Sequence, residues 1–167
     1  MLVRMELFDA YVEMLAGSAV KHVYDEKLGK LVVHRKSAIP LPRHFNYGFI
    51  KGTRGEDGDP LDVFIISNRR LKLGSTVKIR PIGILYVEDE MGIDNKIMAA
   101  DASDSSMDGI SEFSELGAKE IGKRFNSLEH NKDGMEGRWT KVKGQGGSAE
   151  AIKEIRKSIE NGNAPKS

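Results

Sequence analysis

The sequence predicts an α+β protein that is mostly β, with strands in the first two-thirds of the chain and helices after them. Short runs rich in Val, Ile and aromatic residues alternate with turn residues in the first part, and apolar residues then recur at helical spacing. The length of 167 residues suits one domain with a substantial core. We therefore expect a single domain over residues 1–167, with residues 160–167 as a frayed polar tail.

Six segments are predicted to be strands from their apolar and β-branched residues. The last and longest is interrupted by Pro81 and Gly83, which favours a bulge or a sharp bend within that strand. In chain order the predicted strands lie around Tyr11 and over residues 20–24, 31–34, 45–50, 63–66 and 77–87.

Two helices are predicted after the strands and are expected to pack on them. Apolar residues form an approximate stripe at helical spacing over residues 110–128. Ser148 can cap a second helix, whose isoleucines share one face, and Gly162 can end it. Between strands and helices, the aspartates of residues 101–108 are expected to be solubilising loop residues, and the glycines of 144–147 to form a flexible connection.

Composition excludes several classes of function. The 26 basic and 25 acidic residues give a net charge of +1, so the chain as a whole has no general attraction for nucleic acid or an anionic membrane. No cysteine is present, which excludes disulfides, thiol catalysis and zinc–thiolate sites. No apolar run approaches membrane-spanning length. We expect a cytoplasmic protein whose function arises from local separation of charge.

The most informative motif is the segment Asp-Gly-Asp-Pro-Leu-Asp-Val at residues 57–63. Its carboxylates, Asp57, Asp59 and Asp62, repel one another unless a cation neutralises them. Hard ions such as Mg²⁺ or Mn²⁺ prefer oxygen ligands and often share their coordination with phosphate. A solvated acidic turn is the alternative, because Asp, Gly and Pro all favour turns. An EF-hand calcium loop fails on pattern, since Leu61 and Asp62 occupy the fifth and sixth positions.

A second acidic cluster, residues 88–90 followed by Asp94, favours the metal interpretation. Each cluster adjoins a predicted strand, so the two strands can bring both clusters to one mouth of the fold. Three or four carboxylates gathered there would hold several divalent ions. Lys96 follows directly and supplies a cation suited to phosphate.

Taken together, these segments resemble the soluble (family I) inorganic pyrophosphatases. Residues 57–63 match that family's signature residue by residue, and the resemblance extends from about Glu13 to about Ile159. It implies a five-stranded, OB-like closed barrel with two C-terminal helices packed against it. The landmarks that keep their relative spacing are Lys21, Arg35, Asn46-Tyr47-Gly48, the three signature aspartates, Arg80-Pro81-Ile82-Gly83, Asp89-Glu90, Asp94-Asn95-Lys96, Lys132, Trp139 and Lys141-Val142.

The resemblance also implies a role for each acidic and basic landmark. Asp59 stands at the general-base position, next to a nucleophilic water. The implied metal ligands are Asp57, Asp62, Asp89 and Asp94. The residues implied to hold the two phosphate groups are Lys21, Arg35, Tyr47, Lys96 and Lys132. Possible accessory residues are Glu13, Arg43, Asn131 and Glu90.

Three positions depart from the family pattern. Val23 stands where an acidic residue is usual, and Arg43 and Asn131 each replace a tyrosine. The loss of one carboxylate and the gain of one cation make the local charge more positive, which can strengthen anion binding or slow product release. Arg43 is a candidate phosphate contact, and Asn131 is a weaker charge-stabilising donor than a phenol.

The implied reaction is hydrolysis of inorganic pyrophosphate to two orthophosphates by a multi-metal Mg²⁺ site, with Mn²⁺ as a possible substitute and a metal-bound water as nucleophile. Divalent ions screen the charge of the substrate and acidify water, lysine and arginine neutralise the leaving phosphate, and a carboxylate accepts the proton. A homo-oligomer, by resemblance a hexamer, is expected.

Other functions remain open from the sequence. A phosphoanhydride hydrolase acting on a nucleotide or polyphosphate would use the same metals, and a non-catalytic metal- or phosphate-binding homologue is possible because of the three departures. A nucleic-acid-binding barrel is disfavoured because aromatic residues make up only 7% of the chain and acidic clusters occupy the expected mouth.

Overall fold

A computed structural model describes residues 6–36, 40–116 and 137–163, which form nine strands and one α-helix. The strands are β1 (Phe8–Met14), β2 (Val20–Asp25), β3 (Lys30–Lys36), β4 (Phe45–Ile50), β5 (Asp62–Ile66), β6 (Thr76–Asp89), β7 (Gly92–Ile93), β8 (Lys96–Asp101) and β9 (Thr140–Gly146). The helix, α1, is Ser148–Asn163, and two short 3-10 turns occupy Ser105–Met107 and Phe113–Leu116. All six predicted strands are confirmed.

The strand pairings place β5 and β8 side by side at the centre of the main sheet. β1 pairs with β4, β4 with β5, β8 with β6, and β6 with β1, all antiparallel, whereas β5 and β8 are parallel. The strands β7 and β9 extend the sheet from β6. The strands β2 and β3 form a separate hairpin.

Strand β6 can serve four neighbours because it is long and bent. Its first part pairs with β1, its middle with β8, and its last part with β7 and β9. The register against β8 shifts between Pro81 and Gly83, which confirms the predicted irregularity. A side chain at Gly83 would meet Phe113 Cβ at 2.9 Å, so glycine permits the adjacent turn to approach closely.

Three strands were not predicted: the two-residue β7, β8 and β9. β8 is wholly buried, and its Met and Ala residues favour helix as readily as strand, so neither alternation nor β-branched composition marks it. β9 contains Gly144 and Gly146, and the prediction of a flexible connection there is wrong. A side chain at Gly146 would meet the Tyr86 hydroxyl at 2.8 Å, so the glycine allows close contact with β6.

The prediction of solubilising aspartates over residues 101–108 holds for Asp108, which is exposed, but is wrong for the other two. Asp101 and Asp104 are buried rather than solubilising. Asp101 Oδ2 accepts hydrogen bonds from Ser67 Oγ and Arg69 Nε, both at 2.8 Å. Asp104 Oδ2 accepts one from the Asn68 backbone N–H at 2.6 Å, and its other oxygen caps the following 3-10 turn. These bonds tie the end of β5 to the end of β8.

The helical predictions are confirmed in part. Helix α1 begins at Ser148 as predicted and ends one residue beyond Gly162. Ile155 is fully buried and Ile159 packs against the core, but Ile152 lines an open groove on the outer face. The predicted helix over residues 110–128 begins as the 3-10 turn Phe113–Leu116, and its part beyond residue 116 lies outside the described residues.

The core consists of two clusters of buried side chains, one on each side of the central strands. Phe64, Met98 and Phe113 belong to one, and Val63, Ile97 and Ile155 of α1 belong to the other. Consecutive residues of β5 and β8 therefore face opposite clusters, as expected for strands covered on both faces. Over the described ranges no helix is long and apolar enough to cross a membrane.

Candidate metal and phosphate site

The acidic clusters meet where the parallel strands β5 and β8 begin. The two strands are in register with Asp62 opposite Lys96, and Asp94 lies just before β8. The segment that leads into β5, residues 51–61, is called here the acidic loop; it carries Asp57 and Asp59. Parallel pairing puts the starts of both strands at one edge, so the chain segments before them share that edge. The predicted convergence of the two clusters is confirmed for Asp62 and Asp94.

The ammonium group of Lys96 lies at the centre of this edge. Lys96 Nζ is 2.5 Å from Asp62 Oδ2 and 2.8 Å from Asp94 Oδ2, and it donates a hydrogen bond to the Tyr47 hydroxyl at 3.2 Å. Lys96 is buried, so both ion pairs are largely shielded from water. A buried cation with two carboxylates is stable only because each group is paired.

The charges of this group shift one another's protonation. Burial alone would lower the pKa of Lys96, but Asp62, Tyr47 and Asp94 raise it well above its ordinary value. Burial opposes ionisation of Asp62, yet Lys96 lowers its pKa. The pKa of Asp94 is raised, first by burial and then by Asp62. One ammonium therefore cannot fully compensate both carboxylates.

Asp57 adds a third carboxylate. Its pKa is raised by burial and by the neighbouring charges of Asp59 and Asp62. Asp57, Asp62 and Asp94 line one pocket together with Glu56 and Glu154. In the described part of the chain, no three acidic or histidine side chains already surround a common point at metal-binding distance. The excess of carboxylate oxygen over positive charge is nevertheless the chemistry that Mg²⁺ requires, so the residues fit such an ion once their side chains rotate towards it.

Asp59, the predicted general base, is exposed at the tip of the acidic loop. Its backbone N–H donates to Asp57 Oδ1 at 3.0 Å, and its carbonyl accepts from the Gly55 N–H at 2.7 Å. Gly58, between the two aspartates, has a φ of 86°, which favours glycine. The loop's own hydrogen bonds therefore fix the backbone and leave the Asp59 carboxylate open to solvent.

Glu13 reaches the site through an irregularity in β1. The register between β1 and β4 shifts between Val12 and Met14, so Glu13 is the extra residue of a β-bulge. Its side chain is buried, and its pKa is raised to about 7, first by burial and then by the charge of Asp62, although Lys21 opposes the rise. The bulge thus aims a buried carboxyl at the charged centre.

The aromatic ring of Tyr47 links the basic residues. Lys96 Nζ lies 5.7 Å from the ring centroid and Lys21 Nζ lies 5.2 Å from it. Tyr47 is buried, and burial followed by the charge of Asp62 raises its pKa well above its ordinary value. Lys21 is paired with Arg35 across the β2–β3 hairpin, which brings both backbones to one place. The Arg35 side chain lies outside the described residues.

The remaining predicted site residues take no part in the two Lys96 ion pairs, or they lie outside the residues that the structure describes. Asp89 ends β6 and Glu90 begins the turn to β7; Asp89 Oδ1 accepts a hydrogen bond from the Met91 N–H at 2.8 Å, and Glu90 Oε2 accepts one from the Trp139 N–H at 3.1 Å. Arg43 is exposed just before β4. Asn131 and Lys132 lie outside the described residues.

Glu56 and Glu154 were missed by the sequence analysis. Glu56 stands directly before the signature, where it resembles any exposed loop residue. Glu154 comes from α1, far along the chain, and only the packing of that helix brings it to the pocket. No local pattern marks either residue as part of the site.

Comparisons with known proteins agree with this geometry. A family model described as inorganic pyrophosphatase matches residues 10–163. An inorganic pyrophosphatase of Sulfolobus acidocaldarius is 40% identical over 156 residues, covering 92% of this chain and 90% of that protein. One of Nanoarchaeum equitans is 40% identical over 165 residues, covering 94% and 98%. The crystal structure of inorganic pyrophosphatase from Thermus thermophilus has a TM-score of 0.89 and 31% identity, with 95% of this chain and 92% of that chain covered. The chain therefore belongs to the family of soluble (family I) inorganic pyrophosphatases, as its signature and its ordered landmarks suggested.

Proposed function

We propose that this protein hydrolyses inorganic pyrophosphate to two orthophosphates at the edge where β5 and β8 begin. The observation that carries the proposal is the direct contact of a buried lysine with two carboxylates, beside a buried tyrosine and a second lysine. Carboxylates suited to a divalent ion and cations suited to phosphate are thereby gathered in one place. The homologous proteins carry the name of this activity.

The metal would be held by Asp57, Asp62 and Asp94, with Asp89 as a further ligand. When bound, Mg²⁺ neutralises substrate charge and makes a water molecule more acidic at neutral pH. The all-oxygen donor set supports Mg²⁺, with Mn²⁺ as a substitute, over softer ions.

Asp59 is the proposed general base. Its carboxylate is exposed, it does not take part in the Lys96 ion pairs, and its backbone is fixed by the loop. These properties suit a group that orients the attacking water and accepts its proton. Since the neighbouring Asp57 lines the pocket with Asp62 and Asp94 whereas Asp59 does not, the two aspartates of one motif can serve different tasks.

The basic residues are proposed to hold the phosphate groups. Lys21 and Lys96 both lie near the Tyr47 ring, and Lys96 also contacts its hydroxyl; Arg35 and Lys132 are added from the family pattern. Lys96 stabilises charge on the leaving phosphate best if its ammonium group gives up its contact with one carboxylate and contacts a phosphate oxygen instead.

Further features of the proposal come from the family. The pairing circuit β1–β4–β5–β8–β6–β1 supports a five-stranded, OB-like closed barrel. A homo-hexamer and a cytoplasmic location are proposed on the same resemblance. Light scattering after size-exclusion chromatography tests the assembly.

The decisive experiment is phosphate release from inorganic pyrophosphate with Mg²⁺, beside ATP and short polyphosphate and with a chelated control. We expect rapid, metal-dependent release from pyrophosphate. Asp59→Asn should abolish turnover while Mn²⁺ binding persists, and Asp108→Asn, an exposed aspartate away from the motif, should leave both unchanged. Phosphate release from ATP or polyphosphate, without release from pyrophosphate, would show that the proposed substrate is wrong. If none of these substrates releases phosphate while Mn²⁺ still binds, the protein is a non-catalytic metal-binding homologue.

A further inference from the structure

The acidic loop carries two functional aspartates without any regular secondary structure. Inside it, Thr53 Oγ1 donates to the Ile50 carbonyl at 2.6 Å and accepts from the Leu61 N–H at 2.9 Å, which closes the base of the loop. Those bonds hold the two ends together. They do not fix the direction in which the loop as a whole points from the sheet.

Helix α1 supplies the missing constraint. The Arg54 N–H donates to the Ser158 carbonyl at 2.8 Å, and Asn161 Nδ2 donates to the Arg54 carbonyl at 3.5 Å. Further along the loop, Lys157 Nζ is 3.2 Å from Glu56 Oε1. The helix therefore binds the segment directly before Asp57 through both backbone groups of one residue and through one surface ion pair.

Two glycines also bring the backbones of the helix and the loop close together. A Cβ added to Gly162 would lie 2.9 Å from the Gly52 carbonyl oxygen, a distance that Cβ atoms do not adopt. The obstacle is a backbone atom, so it cannot turn aside as a side chain would. Gly52 itself has a φ of 77°, a left-handed conformation that favours glycine at this turn.

The helix is a rigid support because its inner face belongs to the core. Ala151 and Ile155 are fully buried in the same cluster as Val63 of β5, and Ser158 is 1% exposed. The position of the last two turns is therefore set by packing against the sheet that also carries Asp62. A chain of contacts runs from the core through α1 to the loop and its aspartates.

We propose that residues 157–162 of α1 position the acidic loop, so that Asp57 and Asp59 are held in register with Asp62 and Asp94. The proposal rests on the proposed function for the task of these aspartates. Residues 157–162 act through the loop and do not themselves contact substrate or metal. Because a misplacement of about 1 Å can cost roughly 100-fold in rate, a small shift of the loop is sufficient to impair the site.

The variant Gly162→Ala distinguishes a role in positioning the acidic loop from a role only in the stability of the fold. Alanine favours a helix by up to about 1 kcal/mol over glycine, but its Cβ would meet the Gly52 carbonyl. A merely structural contact therefore predicts lower stability with normal Mn²⁺ binding and normal activity. A positioning role predicts a displaced loop in a protein that stays folded. Asn161→Ala is the second variant and removes the bond to the Arg54 carbonyl. The matched control is Glu160→Ala, an exposed residue in the same turn.

Three measurements are made on the full chain: amide hydrogen exchange over residues 51–61, Mn²⁺ binding by calorimetry without substrate, and kcat with pyrophosphate. For Gly162→Ala we expect exchange in the loop to rise about tenfold, Mn²⁺ binding to weaken about fivefold and kcat to fall at least tenfold, with Tm within a few degrees of the wild type. Asn161→Ala should act in the same direction but less, and Glu160→Ala should match the wild type.

Unchanged loop exchange and Mn²⁺ binding in both test variants would overturn the proposal, and so would equal effects in the Glu160→Ala control. If Gly162→Ala does not fold, Asn161→Ala decides by the same two readouts. Exchange and Mn²⁺ binding do not require turnover, so a wild-type protein without pyrophosphatase activity would refute the proposed function while leaving the positioning role testable.

Discussion

Glu13 offers a stability measurement that depends directly on the site's electrostatics. The buried carboxyl of Glu13 has its pKa raised from 4.5 to about 7, chiefly by burial and then by Asp62. A carboxyl whose pKa is higher in the folded state binds its proton more tightly there, so the protein loses stability as the pH rises from the unfolded value towards the folded one. Replacing Glu13 with glutamine removes that loss and keeps the shape of the side chain.

The size of the effect follows from the pKa change. A rise from 4.5 to about 7 corresponds to about 3 kcal/mol at 1.36 kcal/mol for each pKa unit. Partial access of water and the nearby Lys21 reduce this value, and part of the loss has already occurred at mildly acidic pH. We expect the stability difference between Glu13→Gln and the wild type to increase by about 2 kcal/mol in favour of the variant from about pH 5 to about pH 8.

Urea unfolding at several pH values, with chelator present so that no metal neutralises the site, measures this difference. Only its change with pH matters, because any fixed effect of the amide cancels. Glu26→Gln, an exposed carboxyl in the β2–β3 turn, is the matched control and should show no such trend. A stability difference that stays constant with pH, or that changes in the opposite direction, would refute the raised pKa of the buried Glu13 carboxyl.

Further predictions concern three other side chains. Lys96→Met leaves two partly buried carboxylates unpaired and should destabilise the metal-free protein by about 3 kcal/mol, with Mg²⁺ raising its Tm more than that of the wild type; equal Mg²⁺ shifts would contradict this. Arg43→Ala should raise the KM for pyrophosphate several-fold without a change in Tm, and unchanged kinetics would rule out a phosphate contact. For Asp104, hydrogen bonding, above all from the Ser106 hydroxyl, lowers the pKa, so its stabilising effect is present at neutral pH and lost as the pH falls below about 4. Asp104→Asn should therefore cost about 1–2 kcal/mol at pH 7 in urea unfolding and progressively less as the pH falls below about 4, whereas a cost that does not decrease with falling pH would contradict the reasoning.

The parts of the fold that the sequence predicts are those with a local signal. Short runs of apolar, β-branched and aromatic residues mark β1 to β6, and Pro81 with Gly83 marks the irregularity of β6. β8 has no such signal, because a central strand covered on both faces needs only small and apolar residues. Its parallel pairing with β5, the arrangement that forms the site, depends on contacts between distant segments.

The same division holds for the site. Asp57, Asp59 and Asp62 are recognisable because they stand close together in a motif, and the resemblance adds Lys96 and Tyr47. That the Lys96 ammonium would lie between two carboxylates could not be predicted, since spacing along the chain does not report distance across strands. The bulge that aims Glu13 inward is likewise a property of strand register rather than of composition.

The pairing of β1 with β6 has a consequence for how the protein is made. Phe8 lies opposite Ile79, so the first strand acquires this neighbour only after half of the chain has been synthesised. At roughly 5–20 residues per second on the ribosome, the buried side of β1, with Ala10 and Val12, waits for several seconds without its partner. Pairings between such distant segments also slow folding itself. The nascent protein is therefore most exposed to aggregation before β6 emerges, and chaperones that bind extended apolar segments would act in that interval.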